Sequence, residues 1–183
     1  MATAETIVQK ALSFVGVTED PKGSNNVIFN TDYYGRVIND PAYAWCVVFV
    51  WDVFRICGAS SLFYGGKKTA GCSVVYTWGK NAKLTVGKND IRRGDLVLYD
   101  WNANNSPDHI GIALGPVANG KVDTVEGNTE DCVAVRNRDL SNVCLVIRPK
   151  YDPEPEPAVN CSDCPLRNAI KKLIEEYQKG EQK

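Results

Sequence analysis

A chain of 183 residues, 44% hydrophobic and 23% charged, has the length and apolar content for one soluble domain with a single core and a short appendage. Its formal net charge of -1 argues against nucleic acid as the main partner and against recruitment to an anionic polymer by bulk charge. The opening Met1-Ala2-Thr3-Ala4-Glu5 lacks the basic region of a secretory signal, and no apolar run is long enough to span a bilayer, so neither an exported leader nor a transmembrane segment is expected.

Residues 5–15 place Ile7, Val8, Ala11, Leu12 and Val15 at helical spacing, which predicts an amphipathic helix ended by Gly16. Residues 20–34, with Gly23 and three asparagines, read as a polar loop. After the turn signal Asn39-Asp40-Pro41 comes the most apolar run of the chain, residues 45–57, with two of the four tryptophans. Thirteen residues are long for a strand and ordinary for a helix, Gly58 suits a C-terminal cap, and the absence of a polar face predicts burial all round. Cys46 then falls in the first turn, where unpaired backbone N–H groups favour an anionic sulfur. Taken alone, it reads either as a reactive thiol or as a small apolar packing residue.

Cys72 precedes a second expected helix over residues 73–78, with Ser73 near the cap. From residue 94 onward the pattern changes to short alternations: 95–101, 109–114, 121–126, 132–137 and 143–148 read as strands, with Asn119-Gly120 as a hairpin turn. Helices first and an antiparallel sheet afterwards make an α+β domain with the 45–57 helix packed on the sheet. The one histidine of the chain, His109, stands at a strand entrance, where a side chain is both anchored and accessible. Glu126 and Asn128 are two apart and share one face of a continuing strand, from which an acceptor could fix the tautomer of an imidazole. Each is equally a structural or solvated residue when considered singly.

Residues 149–157 hold Asp-Pro-Glu-Pro-Glu-Pro, an extended acidic linker. Beyond it Leu166, Ala169, Ile170, Leu173, Ile174 and Tyr177 form a helical stripe that needs a partner, so self-association through this helix is an expectation. The seven cysteines, an odd number without a leader, read as reduced thiols; Cys57, Cys132 and Cys144 lie among apolar neighbours as packing residues. Cys161 and Cys164 have no second close pair with which to complete a zinc site.

Four blocks in order carry a resemblance: Trp45-Cys46 opening an apolar helix, Gly94-Asp95-Leu96-Val97-Leu98-Tyr99, Asp108-His109-Ile110-Gly111-Ile112, and Val125-Glu126-Gly127-Asn128-Thr129. Together they resemble the CHAP family of cysteine- and histidine-dependent amidohydrolases and peptidases, in the papain-like superfamily that includes NlpC-type cell-wall hydrolases. Ala44 stands where many members have a proline. The resemblance implies a papain-like α+β fold with N-terminal helices on a five- to six-stranded antiparallel sheet and a catalytic domain over residues 1–149; the acidic proline run and the apolar stripe beyond it then divide the remainder into a linker at 150–160 and a helical tail at 161–183.

It also implies roles: Cys46 as nucleophile, His109 as general base and acid, Glu126 as the residue orienting the imidazole, and Asn128 as a further polar member. A free thiol with a pKa near ~8.5 is only a few per cent thiolate at neutral pH. A helix N-terminus worth ~0.3–1 kcal/mol lowers that by less than one unit, so the imidazolium must supply most of the shift. Some CHAP domains bind calcium, but Glu19, Asp20 and Asp32 show no Asp-x-Asp spacing; no cofactor is expected, with calcium as the alternative. The implied substrate is an amide of peptidoglycan, either the muramoyl–alanine link or a bond in the stem or cross-bridge, as in phage endolysins. An endolysin is made in the cytoplasm and acts on the wall after release or non-classical export. The other reading kept open is a cysteine amidase or acyltransferase acting on a non-wall peptide.

Overall fold

The computed structural model describes residues 2–155, which hold four α-helices and one six-stranded antiparallel sheet, an α+β architecture. Helix α1 is Ala4–Leu12, capped by Thr3, whose Oγ1 accepts the Thr6 N–H at 3.2 Å. The helix stops three residues before the expected end. Val15 is therefore 47% exposed in the following turn and does not join Ile7, Val8 and Ala11 in the core.

The stretch read as a polar loop contains a helix, α2, Ile28–Tyr34. Its sequence has little periodicity, but Phe29 is fully buried against Trp45 and Phe49, at ring-centroid distances of 5.5 and 5.1 Å, and Gly35 at φ 70° ends it. One aromatic anchor replaces the missing stripe.

Helix α3, Cys46–Ile56, is the centre of the molecule, with residues 46–54 buried without interruption. Its apolar side chains meet α1 and α2 on one side and the sheet on the other, as the lack of a polar face requires. Cys57 and then Gly58, at φ 65°, close it. Helix α4, Cys72–Asn81, begins one residue earlier than expected; Gly71 is its N-cap and Ser73 does not cap it, its hydroxyl lying 3.4 Å from that of Ser106.

The strands are β1 (Thr85–Val86), β2 (Leu96–Tyr99), β3 (His109–Ala113), β4 (Lys121–Thr129), β5 (Cys132–Asp139) and β6 (Val143–Ile147), in the order β1-β6-β2-β3-β4-β5. The turn between β3 and β4 has Asn119 and Gly120 both at positive φ, 51° and 73°. Both faces of the central strand are covered. Leu96 and Leu98 join the helical core, while Val97 and Tyr99 pack with Ala113, Val122 and Val146 on the other face. Alternation along β3 and β4 then sets His109, Thr124 and Glu126 on the Tyr99 side.

Packing of this unit continues past residue 149: the Tyr151 hydroxyl donates to the Gly94 carbonyl at 2.7 Å, and Asp152 accepts the Ala2 N–H at 2.7 Å. The rest of the expected linker from residue 156, the tail helix, and Cys161 and Cys164 lie outside the described residues. No helix among the described residues is long and apolar enough to cross a membrane.

Candidate active site

Cys46 is the first residue of α3 and is buried. Its position is set by Trp45, whose indole N–H donates to the buried Glu19 carboxylate at 2.7 Å and whose ring stacks on Phe29. Trp45 provides no side-chain cap for the first N–H groups of the helix. The Val47 N–H meets the Cys46 sulfur.

His109 opens β3, paired with Tyr99 on β2. The loop before it is tied back by Asp108, whose carboxylate accepts the Trp101 N–H at 2.8 Å. The ring lies 6.2 Å from both Tyr99 and Trp101, which themselves stack at 4.9 Å. Its Nε2 is 2.9 Å from Glu126 Oε2, which leaves Nδ1 for the Cys46 thiol, and thiol and ring favour each other's charged forms. An acceptor on one nitrogen fixes the tautomer that faces the sulfur.

Glu126 is fully buried on β4 and has three partners. His109 takes Oε2, the Thr124 hydroxyl donates to Oε1 at 2.6 Å, and Arg138 donates from Nε to Oε1 at 2.9 Å and from Nη2 to Oε2 at 2.5 Å. Arg138 comes from β5 and lies over Trp101, 4.9 Å from the ring centre. Two glycines make the space. A Cβ at Gly111 would stand 2.8 Å from Glu126 Cγ, and one at Gly127 would stand 2.5 Å from Phe49 Cβ. Gly127 is thus an extended residue at a close strand–helix approach.

The charges follow from this packing. Burial opposes ionisation of Glu126, but the Arg138 and His109 hydrogen bonds outweigh it and hold the carboxyl at about 2. Burial also disfavours a charged His109, yet its bonds to Cys46 and Glu126 raise it to about 9. The Cys46 thiol is brought well below its ordinary value by a hydrogen bond from Cys72, against the cost of burial, and further by His109 and the Val47 N–H. The site therefore favours a thiolate–imidazolium pair.

The structure brings Cys46, His109 and Glu126 into one chain of contacts and leaves Asn128 out of it. A bulge between Glu126 and Thr129 puts Asn128 at φ 56°, which breaks the alternation, and its side chain makes no hydrogen bond to those three. Two participants were not assigned from the sequence. Arg138 reaches Glu126 only because strand register sets β5 beside β4, and the Cys72 sulfur lies 3.8 Å from that of Cys46. Of the acids considered for calcium, Glu19 accepts from Trp45 and from the Asn25 N–H, and Asp32 pairs with Arg55. No group of three His, Cys, Asp or Glu side chains suited to a metal occurs among the described residues.

A groove of about 490 Å³ runs along α4, lined by Tyr64, Ser73, Val74, Thr77, Trp78 and Asn81, beginning one residue from Cys72. A second, of about 470 Å³, has Lys83, Arg92, Arg93, Arg148 and Lys150 in its wall and shares no residue with the thiol site.

Residues 38–128 match the family model of the CHAP domain. No curated protein matches the chain. The matched span contains Cys46, His109, Glu126 and Cys72 and ends before Arg138.

Proposed function

The chain carries a CHAP domain, the mark of a cysteine- and histidine-dependent amidohydrolase or peptidase, and on that basis we propose that it cleaves an amide bond of peptidoglycan through an acyl-enzyme on Cys46. The observation that carries this reading is His109 held between the Cys46 thiol and the buried Glu126 carboxylate, with 2.9 Å to the latter.

In the resting site the sulfur is anionic and the ring protonated. Attack of the thiolate on the amide carbon forms the C–S bond and places negative charge on the carbonyl oxygen, which the backbone N–H groups at the start of α3 can stabilise. His109 gives its proton to the departing nitrogen as the C–N bond breaks. The neutral ring then takes a proton from water, whose oxygen attacks the thioester and releases the acid and the thiolate. Glu126 holds the ring in orientation and stabilises its charged form, while Arg138 and Thr124 hold Glu126. Trp101, 41% exposed and stacked on Tyr99 beside the ring, offers apolar surface to the bound chain.

A wall amide is supported by the family and by an open groove along α4 with both aromatic and amide-bearing side chains. The test is digestion of purified Gram-positive peptidoglycan, with mass spectrometry and amino-terminal labelling of the soluble products. New amino termini on stem or bridge residues name an endopeptidase; lactyl-free stems starting at alanine name a muramoyl–alanine amidase. No release from peptidoglycan, together with acyl exchange from a simple peptide onto an added amine, would replace this reading with a non-wall amidase or acyltransferase.

A further inference from the structure

Cys72 opens α4 as Cys46 opens α3, and both sulfurs are buried. Their separation of 3.8 Å is a sulfur hydrogen-bond distance, and in a pair of thiols either could be the donor. The surroundings decide the direction. Facing Cys46 are the His109 ring from β3 and the Val47 N–H from its own helix, both of which favour a negative sulfur. Facing Cys72 are Cys46 itself, Asp108 from the loop before β3 and Cys144 from β6, all of which disfavour a second negative charge. The proton therefore stays on Cys72.

We propose that Cys72 is a further catalytic residue, whose S–H donates to the Cys46 sulfur so that the two thiols hold one proton and the nucleophile is stored as a thiolate. This rests on Cys46 being the nucleophile. When the sulfur attacks, its lone pair forms the bond to carbon, the hydrogen bond from Cys72 is released, and Cys72 keeps its proton throughout. The arrangement trades some intrinsic nucleophilicity for a larger thiolate population at low pH, since a more stabilised thiolate attacks less readily. It also supplies help that a helix N-terminus alone is too weak to give.

The test needs no substrate. Alkylation of the full-length protein by iodoacetamide is followed from about pH 4 to about pH 9 by the mass of the Cys46 peptide, in the wild type and in Cys72→Ala and Cys72→Ser. Loss of the donor in Cys72→Ala is expected to raise the apparent pKa of Cys46 alkylation by about one unit, close to a tenfold loss of thiolate on the acid side. Cys72→Ser, which keeps a donor on a shorter bond, is expected to fall between the two. A Cys72→Ala profile that superimposes on the wild type, or one that only loses amplitude without moving, would overturn the proposal. Because alkylation is read without substrate, failure to cleave peptidoglycan leaves this result standing by itself. A wild-type Cys46 alkylating with an ordinary thiol pKa would count against both.

Discussion

Arg138 grips Glu126 through both carboxylate oxygens, at 2.9 and 2.5 Å, from a strand that the CHAP match does not reach. The carboxylate is fully buried, and the guanidinium is the strongest of the groups that keep it ionised. Arg138→Met is expected to leave that charge without its main partner and to cost about 3 kcal/mol in urea unfolding, at the low end for a broken buried pair because the guanidinium is partly exposed. Arg138→Lys keeps the charge without the two-pronged geometry and should recover less than half of the lost stability and activity.

The pH dependence of cleavage reports the ion pair itself. The productive form exists above the lowered pKa of Cys46 and below that of His109 at about 9, so kcat/KM should be bell-shaped with its alkaline limb near pH 9. The linked stability has a definite sign. His109 is raised in the folded state, so its contribution is complete below the ordinary histidine value and is lost as pH rises through about 9; Glu126 is depressed, so its contribution is complete above the ordinary carboxyl value and is lost as pH falls through about 2. Glu126→Gln removes the negative partner of the imidazolium. It should move the alkaline limb to lower pH and reduce kcat/KM by roughly 10²-fold or more.

Gly127 sits where β4 crosses the start of α3. A Cβ there would meet Phe49 Cβ at 2.5 Å and Trp45 Cζ3 at 2.8 Å, so Gly127→Ala should cost about 1–3 kcal/mol by overpacking and displace the adjoining Glu126. Thermal unfolding and kcat/KM check this together. Gly115→Ala, which has open space, is the control and should change neither.

The approach of Cys46 to Cys72 predicts an oxidation product. A low-molecular-weight disulfide should react with one thiol and be displaced by the other, forming a Cys46–Cys72 bond and releasing two small thiols, with loss of activity that a reducing agent restores. Peptide mapping under non-reducing conditions should find the 46–72 cross-link. Cys57, the half-buried thiol 3.9 Å from the Thr6 carbonyl, should not be joined to either.

The parts legible in the sequence are those with a local cause. The apolar run around Trp51 had to be a buried helix because no polar face could be drawn on it, and the alternation of Ile110, Ile112 and Leu114 with small residues marked a strand of the sheet. What was not legible depends on register or on distant packing. Helix α2 has a single anchoring residue, Phe29, whose partners Trp45 and Phe49 are far along the chain. Asn128 shares a face with Glu126 only in an unbroken strand, and the bulge after Glu126 removes that relation. Arg138 falls one residue beyond the expected end of its strand, and nothing local says that it faces Glu126. Cys72 stands 26 residues from Cys46 along the chain, and no periodicity sets its sulfur beside the first.

If the thiol of Cys46 performs the acyl transfer, its removal must abolish release of soluble fragments from purified Gram-positive peptidoglycan. Wild type and Cys46→Ala are compared for that release, with unchanged unfolding of the variant as the control for fold. Release by the wild type and none above background by Cys46→Ala is the expected result. Equal release by both would show that another group carries the acyl transfer.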